Sequence, residues 1–429
     1  MVKYYDLTKS GIQDFYNLYE ENRVNSKKGV EQVVDDILQN VKLYGDTALF
    51  DYTKKLDKVD ISELGLEVSR QEIDESIGRV DSKLITILQN AASNIMKFHE
   101  KEVENSWFTT RADGSFFGIK VSPIERVGVY VPGGSAILPS SVLMNVIPAK
   151  VAGVSEIVMC TPPGADGKIS PLILAAAKIA GADRVFRVGG AQAIGAMAYG
   201  TKFVPKVDKI TGPGNIYVAT AKSKIFGYCG IDMIAGPSEI LIIADSSANA
   251  KYVVADMLSQ AEHDPMAASI LISTDKSLID DVILQLEFAA NLLSRKDIAR
   301  KSLINNGAAI LVKDIAQAIE LSNLIAPEHL ELCVEQAVNV MATVKNAGAI
   351  FCGNWSPEPM GDYYCGSNHV LPTGGTARFS SPLGVWDFVK KSSVIFYSKE
   401  GFLKDANEAA LFAMAEGLDA HACSINERL

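Results

Sequence analysis

Cysteine is scarce in this 429-residue chain: Cys160, Cys229, Cys333, Cys352, Cys365 and Cys423 are scattered, and no C-x-x-C pair occurs. That scatter excludes a disulfide framework and a thiolate zinc knuckle, and it fits a reducing compartment. Runs of about 18 apolar residues are absent, so no segment reads as a membrane span. The N-terminus, Met-Val-Lys-Tyr-Tyr-Asp-Leu-Thr-Lys, has no apolar h-region, which removes a secretion signal. Basic blocks are missing too. With 41 Lys and Arg against 51 Asp and Glu the net charge is −10, so nucleic acid is not an expected partner. These absences predict a soluble, cytoplasmic protein.

Familiar fingerprints are also missing. There is no G-x-G-x-x-G within a βαβ unit and no G-x-x-x-x-G-K-[ST]. The lack of H-E-x-x-H disfavours a zincin-type protease, and the lack of a G-x-S-x-G elbow disfavours a serine hydrolase.

What is present reads as a globular enzyme, 48% hydrophobic and 21% charged. At ~150 residues per domain the length predicts two to four domains. Residues 1–117 read as mostly helical, with apolar residues at helical spacing over 30–44 and again over 73–101. His99, at the polar end of the second pattern, reads as a solvated helix residue. From about 118 the texture changes to short apolar runs alternating with helical patterns. Strands are expected over 126–131, 156–160 and 184–188, and after Gly236-Pro237 over 239–244, 269–273, 308–312 and 349–352. Buried strands alternating with helices predict βαβ units and parallel sheets. The expected domains are 118–235 and 236–379, both α/β, followed by an arm over 380–429.

The candidate chemistry centres on Ser322-Asn-Leu-Ile-Ala-Pro-Glu-His-Leu-Glu-Leu332. Glu328 and His329 follow Pro327, and the pattern from His329 to Val338 reads as a helix beginning at that break. A carboxylate beside an imidazole can serve as two acid/base groups on one substrate. Four of the five histidines fall in polar clusters of the second half. Gln260 and His263 are three apart at a helix end, Asp362 and His369 flank a turn, and His421 follows Glu416 and Asp419. Imidazoles with one carboxylate and one neutral oxygen suit a divalent ion such as zinc. Glycine-rich turns recur at Val131-Pro-Gly-Gly134, Val188-Gly-Gly-Ala-Gln192, Thr211-Gly-Pro-Gly-Asn215 and Ala235-Gly-Pro-Ser238. Such turns let backbone approach a phosphate, although tight βα turns explain the glycines nearly as well.

From Arg126 to Glu427 these stretches resemble the histidinol dehydrogenase family. The resemblance rests on R-V-G-V-Y-V-P-G-G, V-G-G-A-Q-A-I, V-D-K-I-T-G-P-G-N, I-D-M-I-A-G-P-S-E, S-Q-A-E-H-D, N-x-x-A-P-E-H-L-E, G-D-Y-x-x-G-x-N-H-V-L-P-T and E-G-L-x-A-H. It implies two incomplete Rossmann-like domains and an oxidation of L-histidinol through L-histidinaldehyde to L-histidine, with two NAD reduced and one zinc bound. It further implies Gln260, His263 and Asp362 as zinc ligands, with His421 donated across a homodimer by the C-terminal arm. His329 then matches the base and Glu328 the residue that activates water. Ser238, His369 and Glu416 match substrate contacts beside the metal ligands, and Tyr130, Gln192 and Asn215 match the NAD turns. Tyr364-Cys365 departs from the family pattern without touching a matched position.

On the residues alone two other classes stay open. A zinc-dependent hydrolase or lyase would use the His/Asp cluster but leave the glycine turns idle. A non-catalytic metal- or nucleotide-binding protein would leave Glu328 and His329 without work.

Overall fold

A computed structural model describes residues 1–9, 11–24, 30–133 and 137–429, so Gly134 of the turn after Val131 lies outside the described residues. The chain forms two compact units, Met1–Glu102 with Ile124–Phe388 and Val103–Pro123 with Val389–Leu429.

The first unit opens with β1 (Lys3–Asp6), an exception to the helical texture expected there. Helices follow at Ile12–Val24, Glu31–Tyr44, Asp46–Tyr52, Arg70–Ser76 and Ser82–His99. Helix Glu31–Tyr44 buries Val34, Ile37, Leu38 and Val41, the stripe that its apolar spacing predicts. The long pattern over 73–101 is two helices rather than one. Asp81 starts the second by accepting from the N–H groups of Lys83 and Leu84, which satisfies donors that a helix start leaves open. His99 is not solvated. Its Nδ1 lies 2.7 Å from the Glu102 carboxylate and its Nε2 lies 3.3 Å from the Asn368 amide, so the helix end is covered by distant chain.

β2 (Trp107–Thr110) and β3 (Phe116–Pro123) belong to the second unit. The first parallel sheet is built from β4 (Arg126–Tyr130), β5 (Glu156–Thr161), β6 (Arg184–Arg187), β7 (Lys209–Thr211) and β8 (Gly230–Ile231), in the order β6-β5-β4-β7-β8. The second uses β9 (Glu239–Ala244), β10 (Ala268–Ser273), β11 (Ala308–Leu311), β12 (His329–Cys333) and β13 (Ala349–Cys352), with β1 added beside β11. Its order is β1-β11-β10-β9-β12-β13, and every neighbouring pair is parallel. Numbered from its own first strand, each sheet reads 3-2-1-4-5, the strand order of an incomplete Rossmann fold. The fold is therefore α/β with two Rossmann-like sheets.

All six residues of β9 and of β10 are buried, as continuous apolar strands covered on both faces should be. Alternation then splits each sheet between two cores. Val127 and Val129 face one layer with Leu143 and Ile147, while Val158 and Cys160 face another with Ala193 and Met197.

The segment from His329 is not a helix. It is β12, hydrogen-bonded between β9 and β13, with His329 opposite Ile240 and Ala349. The preceding helix Ile315–Ile325 stops because Ala326 adopts the left-handed conformation at φ 54 and Pro327 follows it. Period-2 alternation then sends Leu330 and Leu332 to one core and Cys333 to the other. Glu331 misleads a helical reading, because this charged residue is only 1% exposed.

In the second unit β14 (Val389–Phe396) pairs antiparallel with β3, which also pairs with β2. Helices Lys399–Ala415 and Asp419–Asn426 follow. Arg111 donates to the Asp405 carboxylate at 2.6 Å, tying the small sheet to the first of these helices.

Candidate active site

The site is built where β9 and β12 begin. Glu239 is the first residue of β9, and its peptide serves both catalytic candidates. The Glu239 N–H donates to Oε2 of Glu328 at 2.9 Å, and its carbonyl lies 3.1 Å from Nδ1 of His329. A carbonyl can only accept, so Nδ1 carries the proton and Nε2 presents its lone pair. That Nε2 is buried and has no hydrogen-bond partner. Glu239 is anchored through its own carboxylate, which accepts from the Tyr19 hydroxyl at 3.0 Å and from the Gly374 N–H at 2.7 Å.

Facing Nε2 are two carboxylates from the short helix Glu358–Tyr363. Glu358 and Asp362 are four residues apart and so share one helix face, each with an oxygen 3.9 Å from Nε2. One ligand atom from each of His329, Glu358 and Asp362 lies within 4.8 Å of the others. Glu358 is fixed from both ends. Its N–H donates to Glu331 at 2.8 Å, and its carboxylate accepts from the Ser259 hydroxyl at 3.1 Å.

Burial sets the protonation of the whole cluster. The Glu328 carboxyl is held well above the usual range by desolvation, and the Glu239 N–H offsets part of that. Desolvation likewise raises Asp362 and pushes Glu358 up to about 7 and Glu331 to about 9. The imidazoles move the other way: burial lowers His329, with the Asp362 charge opposing. His263 shows part of its surface to solvent, yet the surrounding protein lowers it too, again against Asp362. Raised acids around the buried His329 imidazole point to a functional site.

The predicted ligand set gathers only in part. Gln260 ends helix Ala250–Ala261 with its side chain fully buried, and neither of its amide atoms has a partner. His263 lies one turn on, its N–H bonded to the Gln260 carbonyl at 3.2 Å. Asp362 has a carboxylate oxygen 3.9 Å from His329 Nε2, and it feels the charges of His263 and His369 as well. His369 fixes its Nδ1 at 3.1 Å from the Asp362 carbonyl and its Nε2 at 3.5 Å from the Ser141 hydroxyl. Ser238 is half-buried just before β9. Glu416 and His421 belong to the second unit, where both are exposed. The Gln260 amide oxygen, buried without a partner, together with the Asp362 carboxylate and the His263 imidazole, offers the mixed O and N donors that suit a divalent cation. The sequence reading missed Glu358 and its support, Glu331, although the four-residue step from Glu358 to Asp362 is visible in P-E-P-M-G-D.

The glycine turns after β4, β6 and β7 lie at the carboxyl end of the first sheet, whose switch point falls between β4 and β7, while Ala235–Ser238 leads into β9. Tyr130 ends β4, and its hydroxyl accepts from the Gly190 N–H at 3.0 Å. Gln192, one turn into helix Gly190–Tyr199, is 1% exposed with Oε1 unpartnered. Asn215 caps helix Ile216–Ile225 by accepting from the N–H groups of Tyr217 and Val218. Gly212 stands at φ +114 and a β-carbon there would meet the Tyr130 carbonyl at 2.0 Å, so only glycine fits. A buried ion pair grips its peptide. Lys222, which pairs with Asp232, donates to the Gly212 carbonyl at 2.9 Å, and Asp232 accepts from the Gly212 N–H at 2.9 Å.

Two Rossmann-like sheets, with glycine turns at the carboxyl end of one and an acid–base pair at the amino edge of the other, are the arrangement of an enzyme on a doubly wound α/β scaffold. A family model for histidinol dehydrogenase matches residues 20–429. Histidinol dehydrogenase of Clostridium acetobutylicum is 49% identical over 97% of this chain and 96% of its own length. That of Aquifex aeolicus is 52% identical over 93% of this chain and 92% of its own. The crystal structure of histidinol dehydrogenase from Elizabethkingia anophelis matches with a TM-score of 0.93 at 39% identity, covering 100% of this chain and 98% of that one. The chain belongs to the histidinol dehydrogenase family and is an oxidoreductase. Among the described residues no helix is long and apolar enough to cross a membrane.

Proposed function

We propose that this chain oxidises L-histidinol through L-histidinaldehyde to L-histidine, passing two hydrides in turn to two NAD, with one zinc per site, as a cytoplasmic homodimer. The observation that carries the reading is the His329 ring, with Nδ1 held by the Glu239 carbonyl and Nε2 left free. In the first oxidation Nε2 takes the hydroxyl proton as the carbinol carbon loses its hydride. Glu328, whose carboxyl is a stronger base than usual once ionised, takes a proton from water as that water adds to the aldehyde carbonyl. The resulting hydrate is again an alcohol, and His329 takes its proton as the second hydride leaves.

Gln260, His263 and Asp362 would hold the metal together with His421 of the partner subunit. Bound there, the cation supplies a fixed anchor for the substrate's imidazole and amine. Ser238, His369 and the partner's Glu416 would complete the substrate contacts. The turns bearing Tyr130, Gln192 and Asn215 would hold NAD, which assigns that role to 118–235 and the chemistry to 236–379, with 380–429 as the exchanged arm.

The test is NADH formation from L-histidinol and excess NAD, run to completion with and without a chelator. Two NADH per histidinol, lost on chelation and restored by zinc, is the expected result. One NADH per substrate would remove the role given to Glu328, and none would favour a metal-dependent hydrolase.

A further inference from the structure

A strained turn near the N-terminus delivers a carboxyl that nothing in the reaction above uses. Thr53–Asp57 is a single π-helical turn, and Lys58 after it holds φ 62 and ψ 26. Lys58 and Ala326 are the non-glycine residues at positive φ among the described residues. Ala326 sits at the approach to Glu328. π-Helical turns and left-handed non-glycine residues are unfavourable and concentrate at functional positions.

The strain places Asp57 against the first sheet. Val59, Ile61 and Leu66, just beyond it, pack in the same core as Tyr130, Cys160 and Val188. Oδ2 of Asp57 is buried and has no hydrogen-bond partner. Nearby lysines are engaged elsewhere: Lys54 with Asp60 at 2.8 Å, and Lys58 with the Lys55 carbonyl at 2.8 Å. Burial pushes the Asp57 carboxyl up to about 6, and its charge is felt by the Tyr130 phenol. That phenol holds Gly190, against which the Gln192 amide packs with its own unpartnered oxygen. Oδ2 of Asp57 and Oε1 of Gln192 are buried acceptors without partners, and a ligand that brings hydroxyl donors would satisfy both.

We propose that Asp57 is a dinucleotide-binding residue, accepting hydrogen bonds from a ribose diol of NAD held on the Tyr130 and Gln192 turns. This rests on the assignment of those turns to NAD. A vicinal diol supplies two donors, and Oδ2 of Asp57 with the amide oxygen of Gln192 supplies two buried acceptors that lack partners. The strain at Lys58 is the means of holding one of those acceptors in place before the ligand arrives.

The test combines steady-state kinetics of full-length Asp57→Asn with binding of NAD analogues lacking one ribose hydroxyl. The expected result is a KM for NAD raised about tenfold or more, the effect of losing a charge-assisted hydrogen bond, with KM for L-histidinol within about twofold of wild type. Wild type should bind one deoxyribose analogue more weakly than NAD by a similar factor, a discrimination that Asp57→Asn loses. An unchanged KM for NAD in the variant overturns the proposal, as does equal binding of NAD and every deoxyribose analogue by wild type. If Asp57→Asn does not fold, the analogue comparison on wild type decides alone. Failure of wild type to reduce NAD at all removes the NAD assignment itself and this proposal with it.

Discussion

Nδ1 of His329 lies 3.1 Å from the carbonyl oxygen of Glu239, and that contact decides which ring nitrogen can act as a base. Nε2, thereby left as the lone-pair nitrogen, meets two carboxylates at 3.9 Å. Because Glu239 opens β9 and His329 opens β12, the parallel register of the two strands sets the tautomer.

Replacing His329 with Asn should slow both oxidations by about 10²- to 10⁴-fold, the usual worth of a positioned general base. Burial lowers the imidazole below its ordinary value of 6.5, so kcat/KM of wild type should climb with pH through a pKa under that value and then level. A pH–rate profile measured from acid to neutral checks both points. A rising limb centred above 6.5 would mean that another group takes the proton.

Glu328→Gln keeps the shape and an oxygen for the Glu239 N–H, so the fold should tolerate it. The alcohol step should survive in part while oxidation of the aldehyde collapses. Single-turnover NADH formation, started separately from histidinol and from histidinaldehyde, resolves the two. Equal slowing of both steps would assign Glu328 to orientation rather than to water.

Much of this architecture was legible because apolar strands such as Glu239–Ala244 and Ala268–Ser273 are short, continuous and bounded by turns. The candidate site residues came from motifs, and of these the structure sets His329 Nε2 3.9 Å from an Asp362 oxygen and His369 Nδ1 3.1 Å from the Asp362 carbonyl. What failed was local periodicity around charged groups. His-Leu-Glu-Leu-Cys reads equally as helix or strand, and the fact that decides it, burial of Glu331 between neighbouring strands, is tertiary. β1 was missed for a similar reason, since Lys3–Asp6 is only a strand because Ala308–Leu311 offers it an edge. Glu358 was overlooked for lack of a partner in sequence. Its burial depends on Ser259 and Glu331, which are distant along the chain.

Gln260 buries its amide oxygen without a partner, a cost that a cation bound to that oxygen removes. Chelation should therefore lower the melting temperature of wild type by several degrees, as expected when a tight ligand is withdrawn from the folded state. In Gln260→Ala the gap between zinc-loaded and chelated protein should shrink. Thermal unfolding with and without zinc measures both, and an undiminished gap would take Gln260 out of the metal site.

Glu331 links pH to stability. Its folded-state carboxyl is raised from 4.5 to about 9 by burial, so the folded protein binds a proton that the unfolded chain releases. Stability from this group is therefore complete below about 4.5 and is lost as pH rises toward 9. Glu331→Gln mimics the protonated form and still accepts the Glu358 N–H. Metal-free wild type should lose melting temperature between pH 6 and 9 faster than Glu331→Gln does. Parallel curves would show that Glu331 keeps one protonation state throughout.

Lys222 and Asp232 form a buried pair, their side chains 2% and 0% exposed, closed around the peptide of Gly212. Removing one charge leaves the other desolvated and unpaired, which costs about 3–5 kcal/mol when a buried pair is broken. Lys222→Met should therefore be strongly destabilised in urea. Lys222→Met with Asp232→Leu should recover much of that loss, because no isolated charge remains. The two variants should nonetheless share a weakened grip on NAD. Neither can hold both the N–H and the carbonyl of Gly212, and that peptide lies against Tyr130. Denaturant midpoints and KM for NAD, measured on the same preparations, separate the two effects. A double variant with restored stability and wild-type KM for NAD would show that the pair serves only the fold.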